Sequence, residues 1–191
     1  ISGRGLSGSD TVNVDIQSQA NVAITSIVIS GANGAGPYVG GMSFTLTVNY
    51  GNTGGTDATG VDAILTYGGY THLTPDNPAS IIVAASGSNS QVFSIASAGA
   101  ATSSLVTITA TWTGSEAISS RALGGSDSVN VNIQARASIS ISNLAVSGSG
   151  TYVGGTSFTL TVTYQNAGGT SATVDATLSY GGYTHLTENN P

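Results

Sequence analysis

Two histidines, eight tyrosines, nine acidic side chains and three arginines are the ionisable side chains of this 191-residue chain. His72 and His185 fall at the same place in two copies of Gly-Gly-Tyr-Thr-His-Leu-Thr, at 68–74 and 181–187. An imidazole near Asp62 could be half of a metal site or of an acid–base pair. The plainer reading is a ring that hydrogen-bonds a loop carbonyl beside Tyr70, because an enzyme would seldom duplicate its active site in a chain so poor in ionisable groups. Asp57, Asp62 and Asp76 sit in turns and are the candidate ligands for a structural Ca²⁺, which needs several converging oxygens. No Asp-x-Asp-x-Asp loop occurs, and Asp15 and Asp57 become Asn132 and Ser171 in the second copy. Solvated turn carboxylates are therefore the default and no cofactor is expected. Tyr38, Tyr70, Tyr152 and Tyr183, with His72 and His185 beside them, could form a platform on which sugar rings stack; core or corner tyrosines at strand ends are the competing reading. The motifs of serine hydrolases, phosphate-binding loops and zinc proteases are missing, and the only glutamates, Glu116 and Glu188, are not equivalent in the two copies. The expectation is a protein without catalysis.

The surface that would carry any of these groups is unusual. Charged residues make up 6% of the chain, against about 25% in an average globular protein, and there is no lysine, while serine and threonine number 28 and 25. A net charge of −6 cannot neutralise a row of phosphates, so nucleic-acid partners are not expected. The lack of cysteine removes disulfides, thiolate metal sites and cysteine nucleophiles. No apolar run approaches a membrane span, and Ile1 follows no signal pattern, so it reads as an internal or processed start.

An internal repeat sets the organisation. Ile-Ser-Gly-Arg-Gly-Leu at the start returns at 118 as Ile-Ser-Ser-Arg-Ala-Leu, Tyr-Val-Gly-Gly at 38–41 returns at 152–155, and Ser-Phe-Thr-Leu-Thr-Val at 43–48 returns at 157–162. The spacing matches one β-sandwich of about 100 residues rather than a solenoid unit, so each copy should own a core. Val12, Val14 and Ile16 alternate with polar residues, as do Val129, Val131 and Ile133, and each run is followed by a short polar stretch. These read as the last strand of a module and a linker. The chain is then expected to hold a last strand at 1–18, a complete module at 19–134 and the first part of another at 135–191.

Within the complete module, Phe44, Leu46, Val48 and Tyr50 alternate with Ser43, Thr45, Thr47 and Asn49, and Val106, Ile108, Ala110 and Trp112 alternate with threonines. Period-two patterns of this kind predict half-buried antiparallel strands, apolar toward a partner sheet and hydroxylated toward solvent. Further strands are expected near 21–30, 60–67, 80–85, 90–96 and 126–134, with no helix. Asn52-Thr53-Gly54-Gly55, Gly68-Gly69, Pro75–Pro78 and Gly124-Gly125 fall between the runs, where the chain must reverse.

The stretch Ser43-Phe-Thr-Leu-Thr-Val-Asn-Tyr-Gly-Asn-Thr-Gly-Gly-Thr-Asp-Ala-Thr-Gly-Val-Asp-Ala, with its copy from Ser157, resembles the strand, Asn-x-Gly turn, strand core of CARDB-type and related immunoglobulin-like repeats of bacterial and archaeal surface proteins. The resemblance implies tandem immunoglobulin-like antiparallel β-sandwiches of about seven strands per module. It also implies an extracellular, cell-surface structural role, and it brings no catalytic residue. The expected partners are copies of the chain or neighbouring repeats, head to tail; a glycan is the partner on the adhesive reading. Val12, Val14 and Ile16 become the assembly candidates: either the polypeptide continues past both ends, or a neighbouring subunit's strand at 1–18 adds to the open second part. Continuation is the expected case, because one donated strand cannot replace several.

Overall fold

The structure is a computed structural model and describes residues 3, 7–34, 36–148 and 150–188. The described chain is all β, with no helix: β1 (Val22–Ser30), β2 (Tyr38–Val39), β3 (Ser43–Asn52), β4 (Ala58–Thr66), β5 (Leu73–Pro75), β6 (Ile81–Val83), β7 (Ser88–Ser97), β8 (Ser104–Glu116), β9 (Ala122–Gln134), β10 (Ile139–Val146) and β11 (Leu160–Asn166). Strands β1 to β9 make two sheets, ordered β1-β3-β7-β5 and β2-β9-β8-β4-β6, and β10 and β11 form a separate pair. All pairings are antiparallel except β2 with β9, which is parallel.

The alternating runs produce this arrangement directly. Successive side chains of a strand point to opposite faces, so Phe44, Leu46, Val48 and Tyr50 of β3 all turn inward, as do Phe93 and Ile95 of β7, while Val106, Ile108, Ala110 and Trp112 of β8 meet them from the other sheet. Trp112 closes edge-on against Tyr50 at 5.9 Å between ring centroids, a geometry that puts a positive ring edge on a negative face. Gln91 is an amide buried in this core, and all its hydrogen-bonding capacity is used: Oε1 accepts from the Tyr50 hydroxyl and the Ala63 N–H, while Nε2 donates to Asp62 Oδ1 and the Ala79 carbonyl. A buried amide satisfied in this way fixes the pairing of the sheets instead of costing them stability. Strand β4 absorbs one extra residue opposite β8, between Thr59 and Asp62. Gly60 sits there at φ +59°, a conformation cheap only for glycine, and the second copy lacks that residue.

Two expectations change. Nine strands rather than about seven build residues 22–134; the two unforeseen ones, β2 and β5, have two and three residues, too few for an alternation to register. The stretch expected as a last strand at 1–18 lies partly outside the described residues; its described residues 7–18 join no sheet, and Val12, Val14 and Ile16 are 85%, 72% and 86% exposed.

The second copy repeats the start of the first. β10 pairs with β11 in the register of β1 with β3, including the irregularity after Ile141, which matches the one after Ile24. Its apolar face borders a groove of about 800 Å³ that Phe158, Leu160, Val162, Tyr164, Leu178 and Leu186 line. In the first copy β7 extends the equivalent sheet beside β3, and strands of the opposite sheet, β8 and β9 among them, cover its apolar face.

Candidate functional site

The structure scatters most of the residues that chemistry would recruit. Asp57 Oδ1 accepts from the Ala85 N–H, Asp62 Oδ1 from Gln91, and Asp76 Oδ1 from the Ser94 N–H. Each carboxylate thus caps a different backbone or side-chain donor, and among the described residues no group of three or more His, Asp or Glu side chains converges. Tyr38 is completely buried, stacked on Phe44 at 4.5 Å with its hydroxyl donating to the Gly34 carbonyl; it is a core residue with no ring face for a sugar. Burial raises its hydroxyl pKa above the ordinary tyrosine value. Tyr152, its counterpart, keeps the same partner, Phe158 at 4.6 Å, but is 37% exposed.

Tyr70 and His72 do meet, edge to face at 5.3 Å, and so do Tyr183 and His185 at 5.5 Å. In the first copy the Tyr70 hydroxyl donates to the Thr102 carbonyl, which ties the loop after β4 to the loop before β8. Among the described residues neither imidazole makes the expected bond to a loop carbonyl; in the first copy the Tyr70 hydroxyl makes one instead.

What the two copies share in most detail is the way each holds the peptide that leads into it. Asn52, at the end of β3, is 2% exposed. Its Oδ1 accepts from the N–H groups of Asn21 and Gly54, and its Nδ2 donates to the Thr56 and Val83 carbonyls. The Thr53 N–H completes the loop by donating to the Asn21 carbonyl. Asn166 repeats this at the end of β11: Oδ1 accepts from Ser138 and Gly168, Nδ2 donates to Thr170, and the Ala167 N–H donates to the Ser138 carbonyl. The glycine two places on is required by contact. A Cβ on Gly54 would lie 1.9 Å from the Gln19 carbonyl, and one on Gly168 would lie 2.0 Å from the Arg136 carbonyl. The Asn-x-Gly-Gly segment, legible in sequence as a turn, is therefore a clamp on the linker.

Both arginines among the described residues also grip linkers. At the first, the Ala20 N–H donates to Glu116 Oε1 and the Arg121 guanidinium donates to the Ala20 carbonyl, so one ion pair, 3.6 Å across, holds both backbone polar groups of Ala20. The Ser119 hydroxyl donates to Glu116 as well. That bond first, then the one from Ala20 and the neighbouring Arg121, hold the Glu116 carboxyl below the ordinary glutamate value against the opposing effect of burial. At the second linker, Arg136 Nε donates to the Gly40 carbonyl at 2.6 Å, and the Ala135 N–H donates to Ser103 Oγ at 2.9 Å.

Glu116, Arg121, Arg136 and Ser103 were not singled out as site residues, and the two clamp asparagines were read only as parts of an Asn-x-Gly turn. Their signal lay in the scarcity of charge, since a chain with so few ions places them where they hold something, and in the faithful return of Asn-x-Gly-Gly-Thr. No family model matches this sequence, and no curated protein is significantly similar to it.

Proposed function

We propose that this chain is a structural segment of an extracellular fibre, stalk or surface layer built from immunoglobulin-like repeats in tandem, working by spacing and assembly without catalysis. The observation that carries this reading is the repeated linker clamp. Asn52 and Asn166 hold equivalent peptides with equivalent bonds, which gives successive copies the same entry geometry and hence a regular rod. The composition supports the same reading: strand-forming threonine on outer faces keeps the surface wettable with few ions. The partners are further copies or neighbouring repeats, head to tail. Among the described residues no helix is long and apolar enough to cross a membrane.

The test is electron microscopy of material isolated from the producing cells, with its intact mass under denaturing conditions and its sensitivity to protease added outside the cell. Filaments or lattices with an axial repeat of one module, on a component accessible to external protease, are expected. Isolated globular particles with no axial repeat would overturn the proposal. The second reading is an adhesion module that binds a glycan, favoured by the exposed Tyr183 ring, 59% accessible beside His185. On that reading Tyr183→Ala abolishes retention on a glycan array with folding intact; on the structural reading the array shows no retention to lose.

A further inference from the structure

The linker between the two copies is bound on both sides. Toward the second copy, Ser138 is held by Asn166 and Ala167 as described. Toward the first, the contacts gather on one rim of the complete unit, formed by Gly40, Gly41, Gly99 and Ser103 at the ends of β2, β7 and β8. The Gly40 carbonyl accepts from Arg136 Nε at 2.6 Å, and Ser103 Oγ accepts from the Ala135 N–H at 2.9 Å. The Gly40 N–H in turn donates to the Gln134 carbonyl at 3.0 Å.

Glycine makes room for this seat. Gly41 has φ +86°, and a Cβ there would lie 1.9 Å from a terminal guanidinium nitrogen of Arg136; one on Gly99 would lie 3.6 Å from the guanidinium carbon. The guanidinium thus lies where a side chain on Gly41 would have to stand, and it packs at ordinary contact distance over Gly99. The second copy also reaches the rim directly, past the linker: a Cβ on Gly169 would stand 2.3 Å from Ser103 Oγ. The equivalent glycine of the first copy, Gly55, meets the hydroxyl of Ser18 in its own linker. Position 18 corresponds to Ala135, so at the second joint the hydroxyl comes from the preceding unit instead. Ser103 Oγ of the preceding unit thus stands beside Gly169 where Ser18 Oγ stands beside Gly55.

We infer that the Gly40–Gly41, Gly99 and Ser103 rim is a docking surface for the base of another copy of the repeat, with Arg136 as the pin that locks consecutive units in one orientation. The inference rests on the tandem reading and adds to it that the joint is rigid, that its partner surface is the Asn166–Gly169 turn, and that its strength depends on the residue at position 136. The first linker carries Gln19 at the place of Arg136. A neutral amide lacks the charge-assisted hydrogen bond of a guanidinium, so joints of the Gln19 kind are the more mobile.

The test uses the whole chain. Because it has no native cysteine, spin labels at Thr111→Cys on β8 and Thr161→Cys on β11, both exposed, report one distance across the joint by pulsed electron paramagnetic resonance. A single narrow distribution is expected. Arg136→Gln should broaden it about twofold or more, and Gly41→Ser should do the same by blocking the slot. Thermal unfolding of the Arg136→Gln chain provides the folding control, since this side chain lies on the surface and its loss should leave the first unit as stable as before. A broad distribution in the parent chain, or an Arg136→Gln chain as narrow as the parent, would overturn the pinned joint. Native material would separate the two levels of failure: a regular axial repeat with a broad label distribution removes the pin and leaves the tandem reading standing, whereas no axial repeat removes the tandem reading itself.

Discussion

Residues 8–17 and 125–134 are nearly the same peptide, Gly-Ser-Asp-Thr-Val-Asn-Val-Asp-Ile-Gln against Gly-Ser-Asp-Ser-Val-Asn-Val-Asn-Ile-Gln, yet one joins no sheet and the other is most of β9. Val14 is 72% exposed where Val131 is 1% exposed. Since the local sequence is shared, propensity cannot be the cause. β9 is a strand because β8 offers it a ladder from Ser104 to Ser115, β2 borders its end, and a core waits for Val131 and Ile133. An isolated strand has no such partners, and β propensity is largely a measure of fit to a half-buried surface.

The largest effect expected from this contrast comes from a charge placed at the twin valines. Val131→Asp buries an unpaired carboxylate and should cost about 3–5 kcal/mol, enough to unfold a marginal domain, while Val14→Asp should stay within about 0.5 kcal/mol of the parent. Urea denaturation followed by tryptophan fluorescence reads both, since the single Trp112 lies in the core of the first unit. A comparable loss from the two substitutions would break the comparison.

Next in size are the twin tyrosines. Tyr38→Ala removes a fully buried ring stacked on Phe44 and should cost about 3–5 kcal/mol, whereas Tyr152→Ala, at a ring 37% exposed, should cost under about 1 kcal/mol. The same denaturation curves check the first, and near-ultraviolet circular dichroism at both sites checks that only the first copy loses packing.

The clamps should differ by less. Asn52→Ala strands the N–H groups of Asn21 and Gly54 and the Val83 and Thr56 carbonyls in a buried setting, at about 2–3 kcal/mol. Asn166→Ala breaks three of the equivalent bonds where water can replace them, at about 1 kcal/mol or less. Differential scanning calorimetry of both variants would sharpen the contrast between a covered and an uncovered copy.

The smallest effect is that of acid. Glu116 is held below its ordinary pKa when folded, so the stability it contributes is complete above the ordinary glutamate range and is lost as pH falls through that range toward the lowered value. Thermal midpoints should therefore decline more steeply in the parent than in Glu116→Gln below about pH 4.5. Parallel profiles would remove Glu116 from the first linker's hold.

Much of the fold was legible because alternation is a direct record of two-sided burial: β1, β3, β4, β7, β8 and β9 all lie where period-two runs and turn residues put them. β2 and β5 were not, since two or three residues carry no period. The site was hardly legible. Asn52-Thr53-Gly54-Gly55 reads as a hairpin turn, because the clamp depends on a linker thirty residues earlier approaching Gly54 within contact distance. Tyr38 reads as a binding candidate for a similar reason: an amphipathic side chain says nothing of its cover, and β9 comes from almost a hundred residues later in the chain. Val12, Val14 and Ile16 show the converse, a pattern that promises a strand and, in this structure, has no sheet to join.

Near-identical strand-forming sequences in this chain become structure only when a module receives them. Backbone amide hydrogen exchange of the full chain, resolved by fragmentation mass spectrometry, tests it at the two twin segments in one sample. The account predicts strong protection across 126–133 and exchange at nearly unstructured rates across 9–16. Equal protection of the two would contradict it.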